Sequence, residues 1–380
     1  MTTTGPARAF HLLLLLASTG AATGAEAPGA TNPPPITAMS ALEFSPDGVL
    51  FVGDARAGAI FALDLGHRTK PAETPAVQVP DLETQIAALI GTRADDVVVH
   101  DLAVDPLSLD VFLAVSRNRG KWRSTWSLPN DLGDASELVR VDAKGELHGV
   151  ELAGMPWTRA MLPKPVASGK KHEWKEVDTR TEAITDLAWD DGTIWVAGLS
   201  NEEFSSAIWR VAYPFSDKPA AITTVENYHV AHEKWETEAP IRALTPLTID
   251  GKKHLVAAYL CTPLVLFETA ALVDGAHVKG RTVAEFGSGN YPLDLEVVKT
   301  GRGDRLYLAN HNLPMLIIDP RDLVGAKALT EPSPDYTSGI PAEYRAGTSL
   351  QQLDRRGEQQ LVMVRRTPGG SLALEMRQLR

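Results

Sequence analysis

Short bursts of alternating apolar and polar residues recur along this chain, and the same burst is written about six times. Its clearest copy is Ala41-Leu42-Glu43-Phe44-Ser45-Pro46-Asp47-Gly48-Val49-Leu50-Phe51-Val52-Gly53, followed by a second apolar run, Ala59-Ile60-Phe61-Ala62-Leu63. Related copies open at Asp101-Leu102-Ala103-Val104, Asp186-Leu187-Ala188-Trp189, Ala243-Leu244-Thr245-Pro246, Asp294-Leu295-Glu296-Val297 and Ser349-Leu350-Gln351-Gln352. Each turns on Gly, Asp or a charged pair, returns as a β-rich segment, and is followed by a third strand. Strand-turn-strand repeats of roughly 40–50 residues predict a β-propeller, because one blade cannot bury its own apolar faces. The expected fold is therefore all-β: a six-bladed propeller rather than a seven-bladed one, with a short helical insertion and two long loops on one face.

The boundaries follow from the repeat. Blade one is expected over 36–80, ending in Val77-Gln78-Val79. An amphipathic helix follows over 81–91, with Leu82, Ile86, Leu89 and Ile90 on one face. Blade two runs over 100–152, interrupted by an excursion over 117–135, and a second excursion over 153–181 precedes blade three. Blades three, four and five end near 228, 286 and 329, and blade six takes the rest. This sixth copy lacks an outermost strand. The Pro-rich leader over 26–35 is a poor donor for one, since Pro cannot give a ladder hydrogen bond, so the pattern identifies no seal for the ring.

Composition adds location. Arg8 precedes Leu12-Leu13-Leu14-Leu15-Leu16-Ala17, and small residues follow through Ala25. A basic start, an apolar run too short to span a bilayer and a small-residue cleavage region predict a signal peptide over 1–25. The expectation is a periplasmic or secreted protein with no membrane span, its residues 36–380 forming a single propeller domain. A formal net charge of −11 argues against nucleic acid as a partner. The only cysteine is Cys261, which excludes an internal disulfide and leaves this thiol inert or chemical.

Blade geometry sorts the loops. Links between first and second strands lie at one end, and those at Ser45-Pro46-Asp47-Gly48, Asp190-Asp191-Gly192 and Asp250-Gly251 read as plain turns. Links between second and third strands, and between blades, lie at the other end, where both excursions and the helix fall. Function is expected there, on loops held by a rigid scaffold.

Three constellations carry candidate chemistry. Asp101, Asp186 and Asp294 open innermost strands and would converge on the axis, where they repel unless a cation sits among them. One reading is a hard divalent cation, Ca2+ or Mg2+, with Asn201 or Asn310 adding neutral oxygens. The other is structural, each Asp bonding the backbone of the neighbouring blade. In the cation reading His100 or His311 would serve as base and Arg242 would orient a negative group. Secondly, Cys261, His229, His232 and His311 fall at one end and would suit copper or zinc. Thirdly, Arg117, Trp122, Trp126 and Trp235 belong to a basic, aromatic rim suited to a flat or anionic ligand; alternatively, such tryptophans pin the loops to the propeller.

The Asp101-Leu102-Ala103-Val104-Asp105 and Asp186-Leu187-Ala188-Trp189-Asp190-Asp191-Gly192 segments, with the Ser45-Pro46-Asp47-Gly48 turn, resemble blades of six-bladed NHL and gluconolactonase/strictosidine-synthase-like propellers. That resemblance implies a channel metal bound by Glu, Asn and Asp, with Asp101, Asp186 and Asp294 at its Asp-type positions. Met39 or Ser40 stands where that family places its metal-binding Glu. Through Gly198-Leu199-Ser200-Asn201-Glu202-Glu203-Phe204 and Leu260-Cys261-Thr262-Pro263-Leu264-Val265 the chain also resembles exported bacterial propellers, a likeness that implies no reaction. The expected function is binding of a small anionic or flat ligand at the channel mouth, with metal-assisted hydrolysis as its catalytic form. The alternatives are a copper-dependent oxidoreductase built on Cys261 and the histidines, and a non-catalytic platform for another exported protein.

Overall fold

The structure is a computed structural model, described for Met1 and for residues 32–72, 75–117, 136–171, 178–345, 349–358 and 360–379. The expected signal peptide and most of the leader lie outside the described residues, as do Trp122, Trp126 and Trp174.

Six sheets form the six blades, antiparallel throughout except where His277–Lys279 pairs in parallel with Ala221–His229. Their innermost strands are Met39–Phe44, Val97–Val104, Asp186–Asp190, Ile241–Ile249, Pro292–Thr300 and Leu350–Arg356, numbered here as blades one to six. Each is followed outward by two strands in chain order, as the repeat predicts. The helix α1 (Leu82–Ile90) is present, with Leu82 and Ile86 buried, whereas Leu89 is exposed.

The outermost strands are where the sequence-based boundaries fail. Gln78–Val79, expected to end blade one, pairs with Leu372–Gln378 and completes blade six. Trp157–Met161, assigned to a loop excursion, pairs with Ala59–Asp64 and completes blade one. The ring is thus sealed by a strand taken from the N-terminal part of the chain, and blade one receives its fourth strand only after blade two has been built. A residue pattern defines a strand; it does not say which edge that strand will join.

The order around the axis departs from chain order for the same reason. Six buried apolar clusters fill the seams between adjacent blades. One joins blades one and two through Phe61, Leu63, Phe112 and Trp157. Another joins blades one and three through Phe51, Ile60, Leu187 and Trp209. A third joins blades two and six through Val99, Leu113, Val362 and Leu374, with α1 packed over it. The remaining seams join three to four, four to five and five to six. Round the ring the order is two, one, three, four, five, six. α1 locks the two–six seam, because the buried Glu83 accepts the Leu372 backbone N–H at 2.6 Å and the Arg366 guanidinium at 3.3 Å.

Candidate functional site

A leucine repeats at one position of every innermost strand: Leu42, Leu102, Leu187, Leu244, Leu295 and Leu353, all buried in the seams. The residue before it faces the axis, as the two-residue period of a strand requires. That layer comprises Asp101, Asp186, Asp294 and Gln352, whereas the matching Ala41 and Ala243 pack into the seam clusters. In five of the six strands a register shift directly precedes this position. Such bulges re-aim side chains and bend a strand.

Each aspartate stitches two blades. Asp101 accepts the N–H of Leu102 at 2.8 Å and, across the seam, that of Leu42 at 2.6 Å. Asp186 accepts those of Leu187 and Leu244, and Asp294 those of Leu295 and Leu353, at 2.6–2.8 Å. The structural reading of these residues therefore holds in full. They also converge. Burial pushes all three carboxyls well above the usual range, Asp186 raises Asp101, Asp294 raises Asp186, and Asp101 raises Asp294, against the lowering effect of the backbone amides.

The aspartate layer divides the axial channel. On the side of the blade-to-blade links it floors a small cavity of about 30 Å3, walled by His100, Arg242, Tyr291, Gln352, Ser40 and Thr185. A space of this size holds a water or an ion and no organic ring. Gln352 is buried there, and its side-chain oxygen has no hydrogen-bond partner among the described residues, while its amide nitrogen donates to the His100 carbonyl at 2.6 Å. His100 is buried, with Nε2 2.8 Å from the Ser116 hydroxyl. Arg242 is paired with the buried Glu182 at 3.1 Å and lies over the Tyr291 ring.

On the other side, at the end of the short turns, the same aspartates line a chamber of about 580 Å3. Its walls carry Glu43, Glu296 and Asp354, with Arg355 bridging to Glu296 at 2.5 Å. Burial and neighbouring carboxylates raise Glu43 well above its ordinary value, and burial with Glu296 brings Asp354 to about 7. Sequence reasoning missed this second carboxylate layer and placed function wholly at the opposite end. The signal was available: Glu43, Glu296 and Asp354 each follow one of the repeating leucines.

The second candidate lies outside this cavity, at the end of the blade-to-blade links. Cys261 sits between the second and third strands of blade four, and His229 ends the outer strand of blade three. One nitrogen each of His229 and His232 and the Cys261 sulfur lie within 4.8 Å of one another. Glu236 accepts both imidazoles at Nδ1, His229 at 3.0 Å and His232 at 2.6 Å, and the two rings lie 3.8 Å apart. Glu285, buried, accepts the N–H groups of Val230 and Ala231, which fixes the turn that presents His232. Burial opposes a charge on His229, but Cys261, Glu236 and Glu285 outweigh it and raise its pKa to about 9. Glu236 shows the converse: burial pushes it up, yet the two histidines bring it to about 2. His229 likewise lowers the Cys261 thiol against burial, helped by the Gly289 N–H at 3.4 Å from Sγ.

Other expected site residues fall elsewhere. His311 donates its backbone N–H to Tyr291 at 2.9 Å and belongs neither to the Cys261 group nor to the cavity lining. Asn310 is buried in a loop-locking network with Asn290, Asn201 is exposed beside Lys164, and neither lines the small cavity. Arg117 bonds the Ile90 carbonyl at the end of α1. Trp235 packs against Tyr228 beneath Lys279, while Trp157 is buried and holds Asn32. In the Gly198–Phe204 motif, Gly198 is required by close approach: a Cβ there would lie 2.2 Å from the Ala183 carbonyl oxygen.

No protein-family model matches the sequence, and no curated protein matches it. Among solved structures, the chain is similar to extracellular domains 1–2 of Drosophila semaphorin 1b, with 12% identity and a TM-score of 0.37 over 89% of this chain and 84% of that one. A chain of the mitotic checkpoint complex is 10% identical with a TM-score of 0.33, over 97% of this chain and 100% of the other.

Proposed function

We propose that this propeller binds a small ligand in its axial channel with the help of a hard divalent cation at the aspartate layer. The observation that carries the reading is the convergence of Asp101, Asp186 and Asp294 on a cavity of ion size, beside a buried amide oxygen of Gln352 that is unpartnered among the described residues. The donor set is all oxygen, which selects Ca2+ or Mg2+ over softer ions. Each carboxylate spends both oxygens on backbone N–H groups but keeps lone pairs for a cation. Such an ion would relieve the mutual repulsion and could polarise a carbonyl or phosphoryl oxygen of the ligand. The 30 Å3 cavity is too small for a ring, so the ligand is assigned to the short-turn chamber, whose volume is in the range of small-molecule sites. His100 and Arg242 then serve as wall residues, held by Ser116 and Glu182, rather than as free catalytic groups.

The test is calorimetric titration of the purified protein with Ca2+ and Mg2+, alongside thermal melts. A site with three carboxylates should bind one equivalent, and a hundredfold excess over Kd should add about 2.7 kcal/mol of stability. Asp186→Ala should abolish that gain. Binding of neither ion, or an unchanged gain in Asp186→Ala, overturns the proposal.

A further inference from the structure

We propose that Cys261, His229 and His232 form a second metal centre, built from one thiolate sulfur and two imidazole nitrogens and suited to a zinc- or copper-class ion. It is independent of the axial channel and uses different chemistry. In both histidines Nδ1 is committed to the same carboxylate, Glu236. Nε2 is therefore the nitrogen left to coordinate in each. For His229 that atom is buried, makes no hydrogen bond of normal geometry among the described residues, and faces Glu285 Oε1 at 3.7 Å and the Cys261 thiol, while the whole residue is 1% exposed. A buried imidazole nitrogen whose neighbours are a thiol and a carboxylate too far for a good hydrogen bond is costly unless a proton or a metal ion between them fills the position.

The rest of the arrangement is what such an ion requires. Three donor atoms within 4.8 Å of one another can share one ion at ordinary Zn–S and Zn–N lengths of about 2.3 and 2.0 Å. A carboxylate behind each ligating imidazole fixes its tautomer and orientation, a recurrent feature of zinc sites. Here one carboxylate, Glu236, does this for both rings. The thiol is set by the backbone as well: Cys261 and Thr262 both adopt left-handed conformations, with φ of 63° and 68°, which side chains with a Cβ rarely do. The Thr262 hydroxyl donates to the Cys261 and Gly287 carbonyls, and the Gly289 N–H points at the sulfur. His232 is 45% exposed at the side chain, which gives the ion a route in. Nitrogen and sulfur donors in this number select zinc or copper over calcium or magnesium.

The experiment is titration of the metal-stripped protein with Co2+, whose thiolate complexes show an intense near-ultraviolet charge-transfer absorption. One equivalent should develop that band, Zn2+ or Cu+ should displace it, and excess Ca2+ should not. Cys261→Ser should remove the band, His229→Gln should remove binding, and Glu236→Gln should weaken affinity about 10–100-fold. Far-ultraviolet circular dichroism checks that each variant is folded. As an independent readout in the unaltered protein, saturating Zn2+ should slow alkylation of Cys261 by iodoacetamide at least tenfold. Cobalt binding without the thiolate band, equal affinity in Cys261→Ser, or alkylation unaffected by Zn2+ overturns the proposal.

Discussion

The axial channel and the Cys261 cluster both gather buried carboxylates, and they drive them in opposite directions. In the channel, Asp101, Asp186 and Asp294 face one another and are held only by neutral backbone amides, so burial and repulsion push them up. In the cluster, Glu236 faces two imidazoles and is brought down to about 2. Degree of burial does not separate the two cases. What separates them is the charge that each carboxylate faces, and this makes the channel a place short of a cation and the cluster a place already neutralised by protonated histidine. A metal in the channel would add charge that is missing; a metal in the cluster would replace protons.

The sharpest way to test that contrast is to remove one carboxylate from each region. Asp294→Ala should cost about 2–5 kcal/mol, because it strands the N–H groups of Leu295 and Leu353 at the seam between blades five and six. Denaturant unfolding at pH 5, where repulsion is weakest, measures the loss. Relief of repulsion should make the same substitution visibly cheaper at pH 8. Equal costs at the two pH values would mean that the channel carboxylates do not feel one another. On the rim, Glu285→Ala strands the N–H groups of Val230 and Ala231 and should cost about 1–3 kcal/mol. There the cost should not shrink at higher pH, since no like charge is removed.

Much of this contrast was legible in the residues. The leucine that recurs after Asp101, Asp186 and Asp294 places those three on the axis, and a propeller's geometry puts Cys261 and His229 at the same end. Two things were not legible. Gln78–Val79 and Trp157–Met161 read as the end of blade one and as loop, because strand membership depends on which open edge is nearest in space. The exchange of blades one and two round the ring follows from that and has no local sequence signature. His311 was grouped with Cys261 on topology alone, yet a common end of a propeller is wide enough to hold separate sites. Glu236 escaped notice since a glutamate four residues from a histidine looks like any solvated charge until both rings turn toward it.

The smallest effect gives the cleanest separation. The folded-state pKa of Asp354 is about 7 against an ordinary 3.8, so its stabilising contribution is complete below about 4 and is lost as pH rises towards 7. Glu236, at about 2, contributes fully above 4.5 and loses its share only as pH falls towards 2. His229, at about 9, contributes fully below 6.5 and loses its share as pH rises towards 9. Between pH 4.5 and 6.5 Glu236 and His229 therefore add no slope, and the part of the slope that Asp354→Asn removes belongs to the channel. Asp354 alone should make the unfolding free energy fall across that interval by on the order of 2 kcal/mol, with the other raised channel carboxyls adding to it. Asp354→Asn should reduce the slope by about one proton's worth, and saturating Ca2+ should flatten most of the remainder. A profile that rises across this window, or a slope that Asp354→Asn leaves intact, would mean that the second carboxylate layer does not hold its protons against the solvent. The contrast between the two regions would then reduce to the chemistry of their donors.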